Sequence, residues 1–441
     1  MIPFTFLLPL KMMERSRTDM EKIVNERVRE EYFRLKHKSG ATILLYPMKK
    51  YSTAYALFGT KYGSVDTTFK TNADEDFVTV PEGIAHYLEH KLFENDECDA
   101  FQLYAKTGAS ANAFTSFDKT AYLFSCSQKF EENLEILLNF VQEPYFTDET
   151  VAKEQGIIGQ EIRMYEDDPG WRVFFNCLQA LYHKNPVRID IAGTIESIAQ
   201  IDKDLLYRCY NTFYNLNNMV IAIAGNFDVD KTIEICDRLL KPSEDPGLQV
   251  IVPDEPSTVR EKRTVQKLSC AIPLFNIGFK FPAYEGKERY RNFIIYNILM
   301  EMCLGKNSDF YNTQLENGII NDTFNVGVFC GRGYFTVIAD GESRNPDKVM
   351  EEVTKELYRI KKDGLKEEEF ITIRNMTYGD LVACFNNVES VATNMLDYEI
   401  NGIGIYDGIE IAATVTFDDI KKALQDFDIE NSSISIIEPV E

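Results

Sequence analysis

Histidine is scarce in this chain. Only four occur in 441 residues (His37, His86, His90 and His183), and none lies beyond residue 183. Chemistry that needs imidazole therefore belongs to the first half. Cysteine is thinly scattered: there are nine, an odd number, with no Cys-x-x-Cys pair. That excludes a disulfide scaffold and fits a reducing compartment, so a cytoplasmic location is expected. Basic charge is short as well, with Lys+Arg 47 against Asp+Glu 70 and a net charge of -23. A phosphate backbone attracts a basic face, so nucleic acid is excluded as the main partner. No apolar run reaches the ~18 residues of a membrane span. Ile2 to Leu10 is apolar but too short, has no basic segment before it and no small-residue cleavage site after it. It reads as an extension ahead of the first domain, with Met12, Met13 and Met20 as alternative starts. No membrane partner is expected.

What the chain does have is apolar bulk. Hydrophobic residues make up 44%, including 30 Phe and 23 Tyr. That is enough for large cores, and the length calls for more than one domain.

The most informative stretch is Pro81 to Phe93, which contains His86-x-x-Glu89-His90. On a helix these three positions share a face, one turn apart. Two imidazoles and a carboxylate so placed suit a catalytic zinc ion, which commonly takes two His and one carboxylate and leaves a position open for water. The competing reading is two satisfied histidines around a helix-propagating Glu. Against it, half of the chain's histidines fall within five residues, in a segment whose Ile84, Leu88, Leu92 and Phe93 can pin a helix to a core. The inverted His-x-x-Glu-His order is a zinc-peptidase signature when its structural context agrees.

A polar helix or arm is expected over Asp19 to Glu31. A hairpin turning at Gly40 follows, then a strand over Thr53 to Gly59 and a polar loop over residues 65–80. After the motif helix come two strands near Ala109–Ser116 and Lys119–Cys126, and an amphipathic helix over Phe130–Glu143. Thr147 to Tyr165 is a capped helix that carries Glu154 and Glu161 two turns apart on one face. Met219 to Gly225 is a buried strand. Residues 241–262 hold four prolines and change the texture, as a linker or an exposed crossing does. Beyond them the order of strand, helix, strand pair, helices and strand starts again, which points to an internal duplication. The expected organisation is an arm over 1–24, a zinc-binding α/β domain over 25–240, a linker over 241–262 and a second α/β domain over 263–441. Gly331-Arg332-Gly333 lacks any phosphate-loop context and reads as a turn. Cys98 reads as a free thiol.

The segment from His86 to Asp168 resembles the pitrilysin/insulinase (M16) peptidases, most closely a short bacterial zinc-protease-like branch. The resemblance implies an α+β fold of two homologous halves, each a mostly antiparallel sheet with helices packed on it. It implies that His86, His90 and Glu161 hold Zn2+, that Glu89 is the general base, and that Glu154 is a second catalytic carboxylate supporting the site. Gly108 to Ser116 looks like the family's active-site edge strand, which makes Ala111, Asn112 and Ala113 the substrate strand. A zinc-dependent endopeptidase acting on extended peptides in a closed chamber follows from it. In the second half the chain departs from the pattern. Where homodimeric relatives carry a substrate-clamping Arg and Tyr, it has Ser308-Asp309-Phe310-Tyr311 and Gly318-Ile319-Ile320-Asn321-Asp322. The partner is accordingly expected to be a second copy or a homologous subunit without a zinc site. The alternatives to an independent enzyme are a non-catalytic subunit or a partner-dependent one in a two-component complex.

Overall fold

The computed structural model describes residues 20–94 and 100–440. The apolar segment at residues 2–10 and Cys98 lie outside them. The first half is built on a seven-stranded sheet of β1 (Met20–Asn25), β2 (Glu30–Lys36), β3 (Thr42–Pro47), β4 (Ala54–Thr60), β7 (Ser110–Thr115), β8 (Thr120–Cys126) and β9 (Met219–Gly225). Their order is β1-β2-β3-β9-β4-β8-β7, antiparallel except for β3 beside β9. β4 and β9 are buried throughout and apolar apart from Thr60 at the end of β4, as strands covered on both faces are. A small sheet of β5 (Thr68–Lys70), β6 (Val78–Thr79) and β10 (Gln249–Val250) lies beside it.

The second half carries five strands: β11 (Arg263–Leu268), β12 (Leu274–Phe281), β13 (Asn325–Gly331), β14 (Tyr334–Glu342) and β15 (Ser432–Pro439). Their order is β11-β15-β12-β14-β13, again with one parallel pair at the start. This repeats β3-β9-β4-β8-β7 strand for strand. The duplication is thus visible as topology although the sequences have drifted apart. β7 and β13 are the equivalent edge strands, and helix Gly286–Leu304 follows β12 as the motif helix follows β4.

The halves exchange helices. Pro169–Leu181, from the first half, packs on β12 and β15 of the second sheet, while Val388–Ile400, from the second half, covers β4 and β9 of the first. Each lies on a glycine of the central strand. A Cβ on Gly59 would sit 2.8 Å from the Leu396 side chain, and one on Gly278 would sit 2.6 Å from that of Leu181. Both helices therefore approach closer than any larger residue permits.

Three local expectations change. Met20–Asn25, expected in a helix or arm, is a strand paired with β2 in full register, because the sheet edge offers Lys22, Ile23 and Val24 a pairing partner that an isolated polar helix lacks. The polar loop at 65–80 holds β5 and β6, anchored by the fully buried Phe69. Helix Val388–Ile400 was not anticipated at all, although Val388, Val391, Ala392, Met395 and Leu396 recur at helical spacing and are buried. Its apolar face packs on the other half's sheet.

The crossing segment is bolted at Glu255. Its carboxylate accepts from the backbone amides of His183, Lys184 and Asn185 at 2.7, 2.7 and 2.8 Å, and from Lys280 Nζ at 2.8 Å. Lys280, whose side chain is 2% exposed, also donates to the carbonyls of Leu181 and Thr258. Burial pushes the Glu255 carboxyl upward, but Lys280 and the three amides outweigh it and hold it below its ordinary range. Glu255→Gln leaves the Lys280 ammonium buried without its counter-ion, so the variant should lose roughly 3–5 kcal/mol in urea unfolding at pH 7. A depressed carboxyl contributes stability above its unfolded pKa and loses it as pH falls through the folded one. The difference between wild type and variant should therefore shrink as pH falls below about 4.

Candidate metal centre

The motif helix, Ile84–Leu92, starts at Gly83, which has φ 87°. A Cβ there would stand 2.4 Å from the Ala192 carbonyl oxygen, so the helix start is pressed against the 190s loop. The Ser197 hydroxyl donates to the Glu82 carbonyl at 2.9 Å and fastens the same junction. Ile84, Ala85, Tyr87, Leu88 and Leu92 are buried, and that anchorage leaves His86, Glu89 and His90 to face the second helix and the edge strand together.

Facing it is helix Asp148–Glu166, opened by a reciprocal capping box between Thr147 and Thr150. Val151, Ile158 and Ile162 are buried, which leaves Glu154 and Glu161 to point at the motif helix. His86 Nε2 lies 3.7 Å from Glu161 Oε1, and His90 Nε2 lies 3.4 Å from Glu161 Oε2. One ligand atom from each of the three residues falls within 4.8 Å of the other two. Tetrahedral zinc, with bonds of ~2.0–2.2 Å, sets its ligand atoms ~3.3–3.6 Å apart. The three residues stand near that spacing, and no hydrogen bond joins them. Glu154 does not join the cluster. It accepts from His90 Nδ1 at 2.9 Å and so turns His90 Nε2 toward Glu161.

The donor set fits a cation. Burial, with His90 beside it, pushes His86 down to about 3, so its imidazole is neutral and its lone pair free. His86 Nδ1 is buried with no hydrogen-bond partner. Burial also pulls His90 down, but the Glu154 hydrogen bond and the charges of Glu89, Glu154 and Glu161 leave it raised. Burial raises Glu89, against the opposing pull of Thr115 and His90. Among the described residues, no lysine or arginine forms an ion pair with Glu89, Glu154 or Glu161. Three carboxylates collected without a fixed positive charge ask for a metal ion, which reverses the local pKa balance.

β7 forms the wall beside Glu89. It is the last strand in its sheet, and among the described residues its outer edge has no strand neighbour. The Thr115 hydroxyl, at its end, donates to Glu89 Oε2 at 2.6 Å. Asn112 Oδ1 accepts from the Ala113 amide at 2.9 Å. Beyond Glu161, Tyr165 stacks on Trp171 with ring centroids 4.5 Å apart.

Two family profiles match the chain: one described as Insulinase (Peptidase family M16) over residues 79–195, the other as Peptidase M16 inactive domain over residues 200–377. The chain is 38% identical over 406 residues to YmfH, an uncharacterized zinc protease of Bacillus subtilis (strain 168). That match covers 91% of this chain and 95% of YmfH. This chain belongs to the M16 insulinase family. An M16-like peptidase from Alicyclobacillus acidocaldarius superposes with a TM-score of 0.90 at 32% identity, covering 96% of this chain and 99% of that one. Pitrilysin shares the fold at a TM-score of 0.74 and 16% identity; 95% of this chain matches 46% of pitrilysin. Family and ligand cluster together make this a zinc metallopeptidase.

The structure brings His86, Glu89, His90, Glu154 and Glu161 to one place and sets Ala111, Asn112 and Ala113 on the neighbouring open edge. In the second half, Phe310 and Ile320 are buried, and Asn321 is tied to Glu342 at 3.1 Å. The contact missed in the sequence is Thr115 to Glu89, because residues 26 apart carry no periodic signal. Purified protein should contain close to one zinc per chain by elemental analysis, and His90→Ala or Glu161→Gln should lose it. Glu154→Gln, acting through His90, should weaken zinc binding roughly 10–100-fold in a chelator competition. Full zinc in Glu161→Gln would move the third ligand to another carboxylate.

Proposed function

We propose that this chain hydrolyses internal bonds of extended peptides that add as a strand to the open edge of β7, with Glu89 moving the proton. The observation that carries this is the placement of Glu89 at the end of an unpaired edge strand, beside the His86–His90–Glu161 cluster. Backbone hydrogen bonds to β7 supply affinity for an extended chain, and alternate side chains supply preference. Asn112 satisfies the Ala113 amide through its own side chain. An incoming peptide carbonyl takes that place and frees the Asn112 amide for the substrate.

His86, His90 and Glu161 hold zinc, which when bound polarises the scissile carbonyl and acidifies water. Glu89 accepts a proton from the attacking water as its oxygen bonds to the carbonyl carbon. As the C–N bond breaks, Glu89 returns that proton to the leaving nitrogen, so it ends as it began. Glu154 holds the His90 ring in its productive orientation throughout. A purely non-catalytic subunit accounts less well for the site, since a structural zinc has no use for Glu89. The unpaired cysteines among the described residues favour a cytoplasmic location.

Glu89→Gln keeps shape and hydrogen bonding but cannot take the proton. It should retain zinc and bind peptide while turnover falls roughly 10²–10⁴-fold. Peptide cleavage at the wild-type rate by this variant would sink the mechanism.

The resemblance sets Phe310 and Ile320, both buried, at the places where self-sufficient relatives carry clamping groups. The substrate chamber is therefore completed by a second subunit, homologous and zinc-less or a second copy. Association closes the chamber and excludes water, which favours the chemical step. Light scattering on the purified chain, with a peptide assay run alone and with a homologous zinc-less subunit, separates the two cases. Stimulation by that subunit is expected; a homodimer equally fast without it would exclude the two-component arrangement.

A further inference from the structure

Glu89 has a long side chain on the helix face that meets the edge strand, and a base left to sample several rotamers would meet the reacting water only part of the time. Thr115 restrains it. The Thr115 hydroxyl donates to Glu89 Oε2 at 2.6 Å, a shorter contact than its 3.3 Å to the Thr120 hydroxyl. The neighbouring Thr120 is fully buried; its own hydroxyl donates to the Tyr62 carbonyl at 2.9 Å and lies 3.3 Å from the Thr115 oxygen. Thr120 thus packs against the Thr115 hydroxyl. Thr115 and Thr120 form the last pair of the β7–β8 ladder, and a β-branched side chain in a strand has little χ1 freedom. The donor is as fixed as the strand.

We infer that Thr115 is a positioning residue for the reaction: its hydroxyl holds the Glu89 carboxylate in register with the edge of β7. The inference rests on the reading of β7 as the substrate strand and of Glu89 as the proton carrier. Strand and base are then one rigid unit, so a peptide that pairs along β7 arrives with its scissile bond at a set distance from the base. A displacement of about 1 Å in such a group is enough to cost roughly 100-fold.

The test compares Thr115→Val, which keeps the shape and removes the donor, with Thr115→Ser, which keeps the donor and removes the methyl. All are full-length, zinc-loaded proteins whose metal content is measured. In Thr115→Val, kcat should fall roughly 10–100-fold with KM within about twofold, since the loss is confined to the chemical step. Thr115→Ser should recover most of kcat. Crystal structures should show the Glu89 carboxylate in one conformation in wild type and Thr115→Ser, and displaced in Thr115→Val. An unchanged kcat in Thr115→Val, or a rise in KM alone, overturns the inference. So does a Thr115→Ser variant as slow as Thr115→Val with zinc intact. If the wild type cleaves no peptide, the proposed function fails first. The crystal structures still decide on Thr115: a Glu89 carboxylate unmoved in Thr115→Val overturns its role, and a displaced one upholds it.

Discussion

The mutual burial of two helices holds the architecture together. Pro169–Leu181 leaves the first half to pack on the second sheet, and Val388–Ile400 returns the exchange, each passing over a strand glycine where a Cβ would collide. Each half covers one face of its own sheet with its own helices, and the opposite face is removed from water only when the other half is in place. The Arg332 guanidinium, in the turn between β13 and β14, adds an ion pair to the buried Asp66 of the first half. Lys280 and Glu255 add another across the crossing segment. A two-domain chain is thereby made into one cooperative unit around its site.

That rigidity is what a metal site of this kind needs. Glu161 and the histidines come from separate helices, and their relative placement depends on packing through Tyr87, Leu88, Ile158 and Ile162. The helix that bears Glu161 leads through Asp168, which caps the next helix by accepting from the Trp171 amide at 2.7 Å, directly into the exchanged helix. The carboxylate ligand is therefore tethered to the inter-half contact. The duplicated second half has the same strand order but no histidine, so it keeps the scaffold and has shed the chemistry.

Much of the site is legible in the sequence. His86, Glu89 and His90 are local in sequence, and helical periodicity alone puts them on one face. Glu154 and Glu161 are legible as a pair for the same reason, but which of them meets the ligands is not. Periodicity gives a shared face; the crossing of two helices decides that Glu161 reaches both Nε2 atoms while Glu154 stops behind His90. The strand at Met20–Asn25, where a helix or arm is expected, and the helix at Val388–Ile400, which no expectation covers, share a related reason. Each takes its structure from a surface distant in the chain.

The amino-acid sequence by itself thus determined the zinc motif, the exclusion of imidazole chemistry from the second half, the repeated order of elements and the family. All of these are carried by residue type and short-range spacing. Tertiary structure alone decided the exchange of helices, the open edge of β7 and the bond from Thr115 to Glu89. These depend on which backbone edges and side chains meet across long loops, and that is settled by the packing of whole sheets, which no local pattern records.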